Sequence, residues 1–212
     1  MSERWPAPGQ GALAEIEVKK SRFLAIVRRA TTADEARELV AEARREYPGA
    51  RHYCSAHVIS EPGAQPIWHS NDDGEPAQTA GRPMLDVLVG SGLSNVAAVV
   101  VRWFGGTLLG TGGLVRAYSE ATKLALDALG TVRVEMVDLW RLPVDHVTAG
   151  RVEAELRDAG VTVHEVEYAA SGVLLTLASN NADELARLVA SVTAGAGELT
   201  GAGRVLVEYS NT

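Results

Sequence analysis

The hydrophobic and polar positions of this 212-residue chain follow two periods, which together predict an α+β protein. Alternating apolar positions predict strands, whereas apolar residues at i, i+3, i+4 and i+7 predict amphipathic helices. The predicted strands of the first part are a hairpin in LAEIEVKKSRFLAIVRRA, then HYCSAHVIS, QPIWHS and NVAAVVVRWF. The predicted helices there are TTADEARELVAEARREY, MLDVLVGSG and residues 113–129. Up to Gly11 the chain is rich in proline and glycine, which predicts a loose tail.

Local signals define where these helices begin and which face they bury. Thr32 stands three residues before Glu35, the spacing of a capping box at a helix start. The helix over residues 113–129 is expected to end at Gly130 and to bury one stripe of side chains. That stripe consists of Val115, Tyr118, Thr122, Leu126 and Leu129.

The remainder of the chain has a shorter rhythm of elements. The segment GTVRVEMV is a linker or crossing strand. The elements predicted after it are the strand LWRLPVDH, a helix around Val152 and Leu156, the strands VTVHEVEY and GVLLTLAS, the helix NADELARLVASV and the strand GRVLVEYS. The order β-α-β-β-α-β is the ferredoxin-like pattern. We therefore expect two domains, residues 1–134 and residues 137–212.

Composition and charge narrow the class of protein. The chain is 46% hydrophobic and 22% charged, has one cysteine and starts without a secretory signal pattern, so we expect a cytoplasmic protein with no membrane segment. The net charge of -7 argues against a protein that coats nucleic acid by bulk positive charge. Residues 1–130 nevertheless carry 14 Lys and Arg against 15 Asp and Glu, whereas residues 131–212 carry 6 against 12. A local basic face therefore fits the first domain.

The segment RWFGGTLLGTGGLVR places five glycines between a predicted buried strand and a predicted helix. Unpaired backbone N–H groups and the positive end of a helix dipole attract anions at such a junction. Its spacing fits neither a P-loop nor a dinucleotide fingerprint. The alternative is that the glycines only permit close packing. The candidate phosphate- or nucleic-acid-binding residues are Arg102, Gly105, Gly106, Thr107, Gly110, Thr111, Gly112, Gly113 and Arg116.

A second candidate loop, NDDGEPAQTAGRP, carries three carboxylates beside a helix start. They could hold a hard cation or act as general acid and base. We favour a turn in which the Asp side chains accept backbone N–H groups and Thr79 caps the helix, with no metal. The residues of this loop are Asp72, Asp73, Gly74, Glu75, Pro76, Thr79, Gly81 and Arg82. Nearby, Cys54 is expected to be a core residue, because a zinc site needs four ligands.

Together the two loops resemble a known family. DDGEPAQTAGRPML followed by VVVRWFGGTLLGTGGLVRAYSEA is similar to the Impact family, KSRFLA also fits, and the small second domain resembles the bacterial YigZ branch. One position departs from the family pattern, since Gln78 replaces a small residue, generally glycine. The resemblance implies a first domain like domain 2 of ribosomal protein S5 and a second like the ferredoxin-like modules of elongation factor G. Eukaryotic members regulate translation with the help of an additional N-terminal domain, so the resemblance implies a nucleic-acid- or ribosome-binding role in the regulation of translation but not their particular mechanism.

The expected function is that of a non-enzymatic protein that binds RNA or the ribosome without a cofactor. The glycines would admit the sugar-phosphate backbone, while Arg102 and Arg116 meet phosphates. One alternative is a metal-assisted hydrolase of a nucleotide or phosphodiester. Another is a protein-interaction module without RNA contact. The basic residues expected to extend the RNA surface, if the hairpin lies nearby, are Lys19, Lys20, Arg22, Arg28 and Arg29.

Overall fold

The computed structural model describes residues 2–9, 11–60 and 65–210. The chain divides into two compact units. The first unit contains Ser2–Val134 with Tyr209 and Ser210, and the second unit contains Glu135–Glu208.

Within the residues that the structure describes, strands β1–β6 and helices α1–α3 lie in the first unit. Its strands are β1 (Ser2–Pro6), β2 (Gly11–Val18), β3 (Ser21–Arg29), β4 (His52–Ile59), β5 (Ile67–Asn71) and β6 (Val96–Trp103). Its helices are α1 (Ala33–Glu46), α2 (Gly81–Ser91) and α3 (Thr111–Asp127). The predicted hairpin, the three later strands and the three helices are confirmed. Thr32 caps α1 as predicted, since its side chain accepts from the Glu35 N–H.

The predicted loose tail is wrong, because its first residues form β1. Trp5 is buried against Val132 and Val134, and Arg4 pairs with Leu93 in a short parallel bridge. Burial of a large aromatic ring stabilises this segment despite its flanking prolines and glycines.

Five strands of the first unit form one antiparallel sheet in the order β2-β3-β6-β4-β5. Side chains alternate between its faces, so Phe23, Ala25 and Val27 join the core under α2 and α3. Leu24 joins the core under α1 on the opposite face. β6 is central and almost entirely buried, and its last residues carry Arg102 to the edge of the core.

The buried stripe of α3 differs from the prediction at its start. Tyr118, Thr122, Leu126 and Leu129 are buried as predicted. The prediction that Val115 is buried is wrong, because Val115 is exposed while Leu114 is buried. The helix begins at Thr111, and the packed positions that follow Leu114 recur at intervals of three or four residues.

The second unit has the predicted element order β-α-β-β-α-β. Its elements are most of β7 (Thr131–Val144), α4 (Ala149–Asp158), β8 (Thr162–Ala169), β9 (Gly172–Ala178), α5 (Ala182–Val192) and most of β10 (Thr200–Ser210). The segment GTVRVEMV is the start of the long strand β7. The strands are ordered β10-β7-β9-β8, and the unit has its own core around Leu142, Leu156, Leu175 and Leu185. Within the described residues no helix is long and apolar enough to cross a membrane.

Candidate functional site

The site begins as a row of side chains across three neighbouring strands. Arg102 on β6 is the register partner of Phe23 on β3 and of His52 on β4. The guanidinium carbon of Arg102 lies 5.3 Å from the centre of the Phe23 ring. Trp103, the next residue, faces the other side of the sheet and packs against Tyr47, as strand alternation predicts.

Arg102 is buried and paired with Glu75 of the second candidate loop. Its Nη1 donates to Glu75 Oε1 over 2.5 Å, and the Tyr118 hydroxyl donates to the same oxygen over 2.8 Å. His52 Nε2 is 3.9 Å from Glu75 Oε1. The charge of Arg102 is therefore compensated inside the protein, and its contact with a phosphate stays a prediction.

Cys54 and Tyr118 extend this polar cluster into the core. The Cys54 thiol donates to the Asp72 carbonyl over 3.0 Å, and its Sγ lies 3.3 Å from the Tyr118 hydroxyl oxygen. Burial raises the pKa of the Cys54 thiol and the pKa of the Tyr118 hydroxyl, so both groups keep their protons at neutral pH. Cys54 is fully buried and bonded to its neighbours, as expected of a core cysteine.

Sequence reasoning missed Tyr118, His52 and Ser21 as site residues. Tyr118 was recognised only as part of an apolar stripe; its hydroxyl, which needs a partner when buried, was the available signal. His52 lies two residues before Cys54 on the same strand face, and this spacing alone does not indicate a site residue. Ser21 is fully buried beside Arg102 and Gly105, and nothing in the local sequence indicates this position.

Asp72, rather than Thr79, caps helix α2. The Asp72 carboxylate accepts the backbone N–H groups of Gln78, Ala80 and Gly81 at 2.7 to 3.0 Å. The expected Thr79 cap is wrong, because the Thr79 hydroxyl donates to the Pro76 carbonyl instead. The two oxygens of a carboxylate offer about four lone pairs, enough for the three N–H groups accepted here, whereas a hydroxyl oxygen offers two.

The three carboxylates of this loop turn toward different donors. Asp73 accepts the Tyr53 N–H over 2.7 Å and pairs with Arg44 over 2.6 Å, while Glu75 faces Arg102. Over residues 2–9, 11–60 and 65–210 there is no group of three or more His, Cys, Asp or Glu side chains that could hold a metal ion. The three carboxylates of this loop therefore do not converge on one point, and the hydrolase alternative stays a hypothesis.

Gln78 occupies a left-handed backbone position, with φ of +62°. Glycine adopts this conformation without a steric penalty, whereas other residues adopt it at a cost. The small residue that the resemblance implies at this position therefore has a backbone explanation that requires no ligand.

Gly105 of the glycine loop is packed against the turn of the β2–β3 hairpin. A Cβ at this position would lie 2.0 Å from the carbonyl carbon of Lys20. The Gly105 N–H donates to the buried Ser21 hydroxyl over 3.1 Å. Close packing of two backbones, the alternative to ligand binding, therefore explains this glycine. It also places the Lys19–Lys20 turn directly beside the loop.

The rest of the loop is exposed and leads into α3. Gly106 and Gly110 face open space, and Gly110 is the N-cap residue of α3, with no side-chain cap and no acidic residue in the first turn. Arg116 is exposed and its guanidinium lies against Gly112. Thr107 and Thr111 are also exposed, and Gly113 is half-exposed.

The two candidate loops meet at a cavity of about 300 Å³. Gly74, Glu75 and Pro76 line it from one side, and Gly110 and Thr111 line it from the other. The other residues of the second candidate loop, among them Gly81 and Arg82, do not line this cavity. The Cβ position of Gly81 packs against the backbone of Asn71, and the exposed Arg82 pairs with Asp86 on α2.

Residues 19–126, about half of the chain, match the Impact N-terminal domain. The chain belongs to the IMPACT family. This IMPACT-family chain is 39% identical over 176 residues to IMPACT family member YigZ of Escherichia coli (strain K12), covering 83% of this chain and 86% of YigZ. It is 40% identical over 154 residues to YvyE of Bacillus subtilis (strain 168), covering 73% and 70%. The resemblance to the family and to its YigZ branch is confirmed.

This IMPACT-family chain also resembles a solved structure over most of its length. That structure, described as "Crystal structure of an hypothetical protein", is 35% identical with a TM-score of 0.63. The match covers 95% of this chain and 97% of the other.

Proposed function

We propose that this chain is a non-enzymatic cytoplasmic protein that binds RNA, on the ribosome or free, through the face formed by the glycine loop and the Lys19–Lys20 turn. One observation carries the proposal: the backbone of Lys20 packs on Gly105, so the basic Lys19–Lys20 turn lies directly beside the glycine loop. Basic side chains around an open loop are the usual means of binding a phosphate backbone without reading its sequence.

Four exposed cations belong to this surface. Lys19 and Lys20 contribute from the turn, Arg116 from the first turns of α3, and Arg51 from the residue before β4. Arg51 also lies 5.8 Å from the centre of the Phe104 ring, and Phe104 is 40% exposed. Cations interleaved with an exposed aromatic ring are typical of single-stranded nucleic acid sites.

The other basic residues of the hairpin differ in position. Arg22 lies at the same end of β3, stacks 4.7 Å from the Trp103 ring centre and pairs with Glu15. Arg28 and Arg29 are at the opposite end of β3, roughly 20 Å away at the rise of a strand. Arg28 pairs there with Glu42, and Arg29 lies over Trp5. Arg22 therefore borders the proposed surface of Lys19, Lys20, Arg51 and Arg116, whereas Arg28 and Arg29 lie outside it.

Family membership supports a role in the regulation of translation, which we propose for this chain as well. We also propose the finer fold assignment, with a first unit like domain 2 of ribosomal protein S5 and a ferredoxin-like second unit. The strand order β10-β7-β9-β8 of the second unit supports the latter assignment.

The test is binding to a labelled structured RNA and co-sedimentation with ribosomes across a salt series, for the wild-type protein and a Lys19→Asn, Lys20→Gly variant. Both lysines have positive φ, and Asn-Gly is the preferred sequence for such a hairpin turn, so the variant removes two charges while favouring the fold. We expect weaker binding and a slope of log K against log salt that is smaller by about 1.5, for two lost phosphate contacts.

The matched control is Arg37→Gln, Arg45→Gln, which removes two exposed positive charges from α1 on the other face of the sheet. This control should keep the wild-type slope. Binding that does not depend on salt, or equal slopes for the two double variants, would reject the proposed surface.

A further inference from the structure

The cavity between the two loops has a polar floor and an apolar wall. Glu75, Arg102 and His52 form the floor, and Phe104 and Leu108 contribute to the wall. All of these residues belong to the first unit. With a volume of about 300 Å³, the cavity lies at the lower end of the range for small-molecule sites. It can therefore take one small planar group but no extended ligand.

The packing of a sheet against helices does not require buried charges such as those in this polar floor. The side chains of Glu75 and Arg102 are only 3% and 6% exposed, and apolar side chains of similar volume are often as stable as a buried ion pair. In the part of the chain that the structure describes, Arg102 Nε is also a buried side-chain nitrogen without a hydrogen-bond partner. Buried charges beside a cavity indicate a ligand with hydrogen-bonding groups of its own.

The wall offers a flat surface that is open to solvent. Phe104 keeps 40% of its surface exposed, and Leu108 keeps 80%. The guanidinium carbons of Arg51 and Arg102 both lie 5.8 Å from the centre of the Phe104 ring. An aromatic ring flanked by guanidinium groups is a stacking platform for another planar group.

We infer that this cavity holds one unstacked nucleobase of a bound RNA strand, stacked on Phe104 with its polar edge toward Glu75, His52 and Arg102. The inference rests on the proposed RNA binding and adds the recognition of a base to contacts with the backbone. Aromatic stacking combined with hydrogen bonds to the edge of a splayed base is how proteins hold single-stranded RNA. The four exposed cations would hold the phosphates on either side of that base.

The experiment compares a short single-stranded oligoribonucleotide with an abasic oligomer of the same length, which keeps sugars and phosphates but has no bases. Each is titrated into the wild-type protein and into a Phe104→Leu variant, which keeps apolar bulk and loses the ring. We expect the wild type to prefer the base-containing strand by about tenfold, and Phe104→Leu to remove that preference without changing abasic binding. Leu124→Ala, at an exposed apolar position on α3, is the control and should keep the preference.

The outcomes separate the two proposals. Equal binding of both oligomers by the wild type, or a preference that survives in Phe104→Leu, overturns the base site and leaves the phosphate surface standing. Failure of the wild type to bind either oligomer overturns RNA binding itself, and with it the base site. The apolar wall would then fit a side chain of a protein partner. A nucleoside monophosphate that competes as strongly as the oligomer would identify a free nucleotide as the ligand instead of an RNA strand.

Discussion

At the residue scale, Gln78 combines a left-handed backbone with a side chain that such a backbone disfavours. The Gln78 N–H donates to Asp72, which fixes the conformation in place. We expect Gln78→Gly to raise the free energy of unfolding by about 1 kcal/mol, because glycine removes the steric cost and keeps the hydrogen bond. The midpoint of urea unfolding measures this. Gln78→Ala retains Cβ and should bring no gain; an equal gain for alanine would contradict the explanation.

The hydroxyl of Tyr118 can be compared with the hydroxyl of Tyr53, because a change to phenylalanine removes only that oxygen. The Tyr118 hydroxyl donates to the buried Glu75 carboxylate, whereas the Tyr53 hydroxyl donates to the neutral carbonyl of Tyr47. Hydrogen bonds to charged groups contribute about 1.5–3 kcal/mol and neutral ones about 1 kcal/mol. Tyr118→Phe should therefore lower the free energy of unfolding more than Tyr53→Phe does. Equal losses in denaturant unfolding would mean that the charge of Glu75 adds no stability to the hydrogen bond from Tyr118.

Sequence patterns located both candidate loops but not the pairing between them. Glycine and aspartate signals depend on neighbouring residues, so they can be recognised locally. The Arg102–Glu75 pair depends on the register of β6 with β4 and on the path of the loop after β5, which no local pattern encodes. An arginine at the end of an apolar strand was for this reason expected to face a phosphate rather than an internal carboxylate.

At the scale of elements, the β4–β5 hairpin contains a stacked histidine pair. His57 and His69 are register partners, and their rings lie 5.2 Å apart. Burial lowers the pKa of His57, and the positive charges of His69 and Arg37 lower it further. The folded state thus disfavours the protonated form of His57.

This shift makes stability depend on pH in a defined direction. Below the unfolded-state pKa of 6.5, the unfolded chain binds a proton at His57 that the folded chain does not bind. The free energy of unfolding should therefore fall as the pH drops below about 6.5. Urea unfolding across this range should show a flatter pH profile for His57→Asn. His164→Asn, at an exposed position on β8, should keep the wild-type profile; a pH profile unchanged in His57→Asn would contradict the assignment.

Elements with strong periodicity were predictable, and those defined by distant contacts were not. Helix α1 has both a cap and an apolar stripe within its own sequence, so its start and its type are local properties. Strand β1 exists because Trp5 packs on residues near position 130, and its own sequence resembles a turn-rich tail. The face of α3 was predicted one residue out of place at Val115, because an apolar side chain at the helix start can belong to either side of the stripe.

At the scale of the whole molecule, each unit has a hydrophobic core of its own. Trp140 belongs to the core of the second unit, while Trp5, Trp68 and Trp103 are in the first unit. Tryptophan fluorescence can therefore follow each unit separately. A variant that lacks Trp140 reports on the first unit, and a variant that keeps only Trp140 reports on the second.

Separate cores predict separate unfolding transitions. Leu175→Ala removes a fully buried side chain of the second unit and should lower the stability reported by Trp140 by about 2–5 kcal/mol. The transition reported by the first-unit tryptophans should stay in place. Leu39→Ala, in the core under α1, should have the converse effect. A loss of stability that appears equally in both reporters would show that the two units unfold together.

The contact between Gly105 and the backbone of Lys20 restricts how this protein can change over generations. A side chain at residue 105 cannot be accommodated by a rotamer change, because the obstructing atoms are main-chain atoms 2.0 to 2.4 Å away. In a library that randomises residue 105, selection for the folded chain should recover glycine alone, whereas the same library at exposed Thr107 should return many residue types. Insertions in the β2–β3 turn should also be selected against, because they would alter the backbone that packs against Gly105. The two segments that carry the basic surface must therefore be inherited as a matched pair.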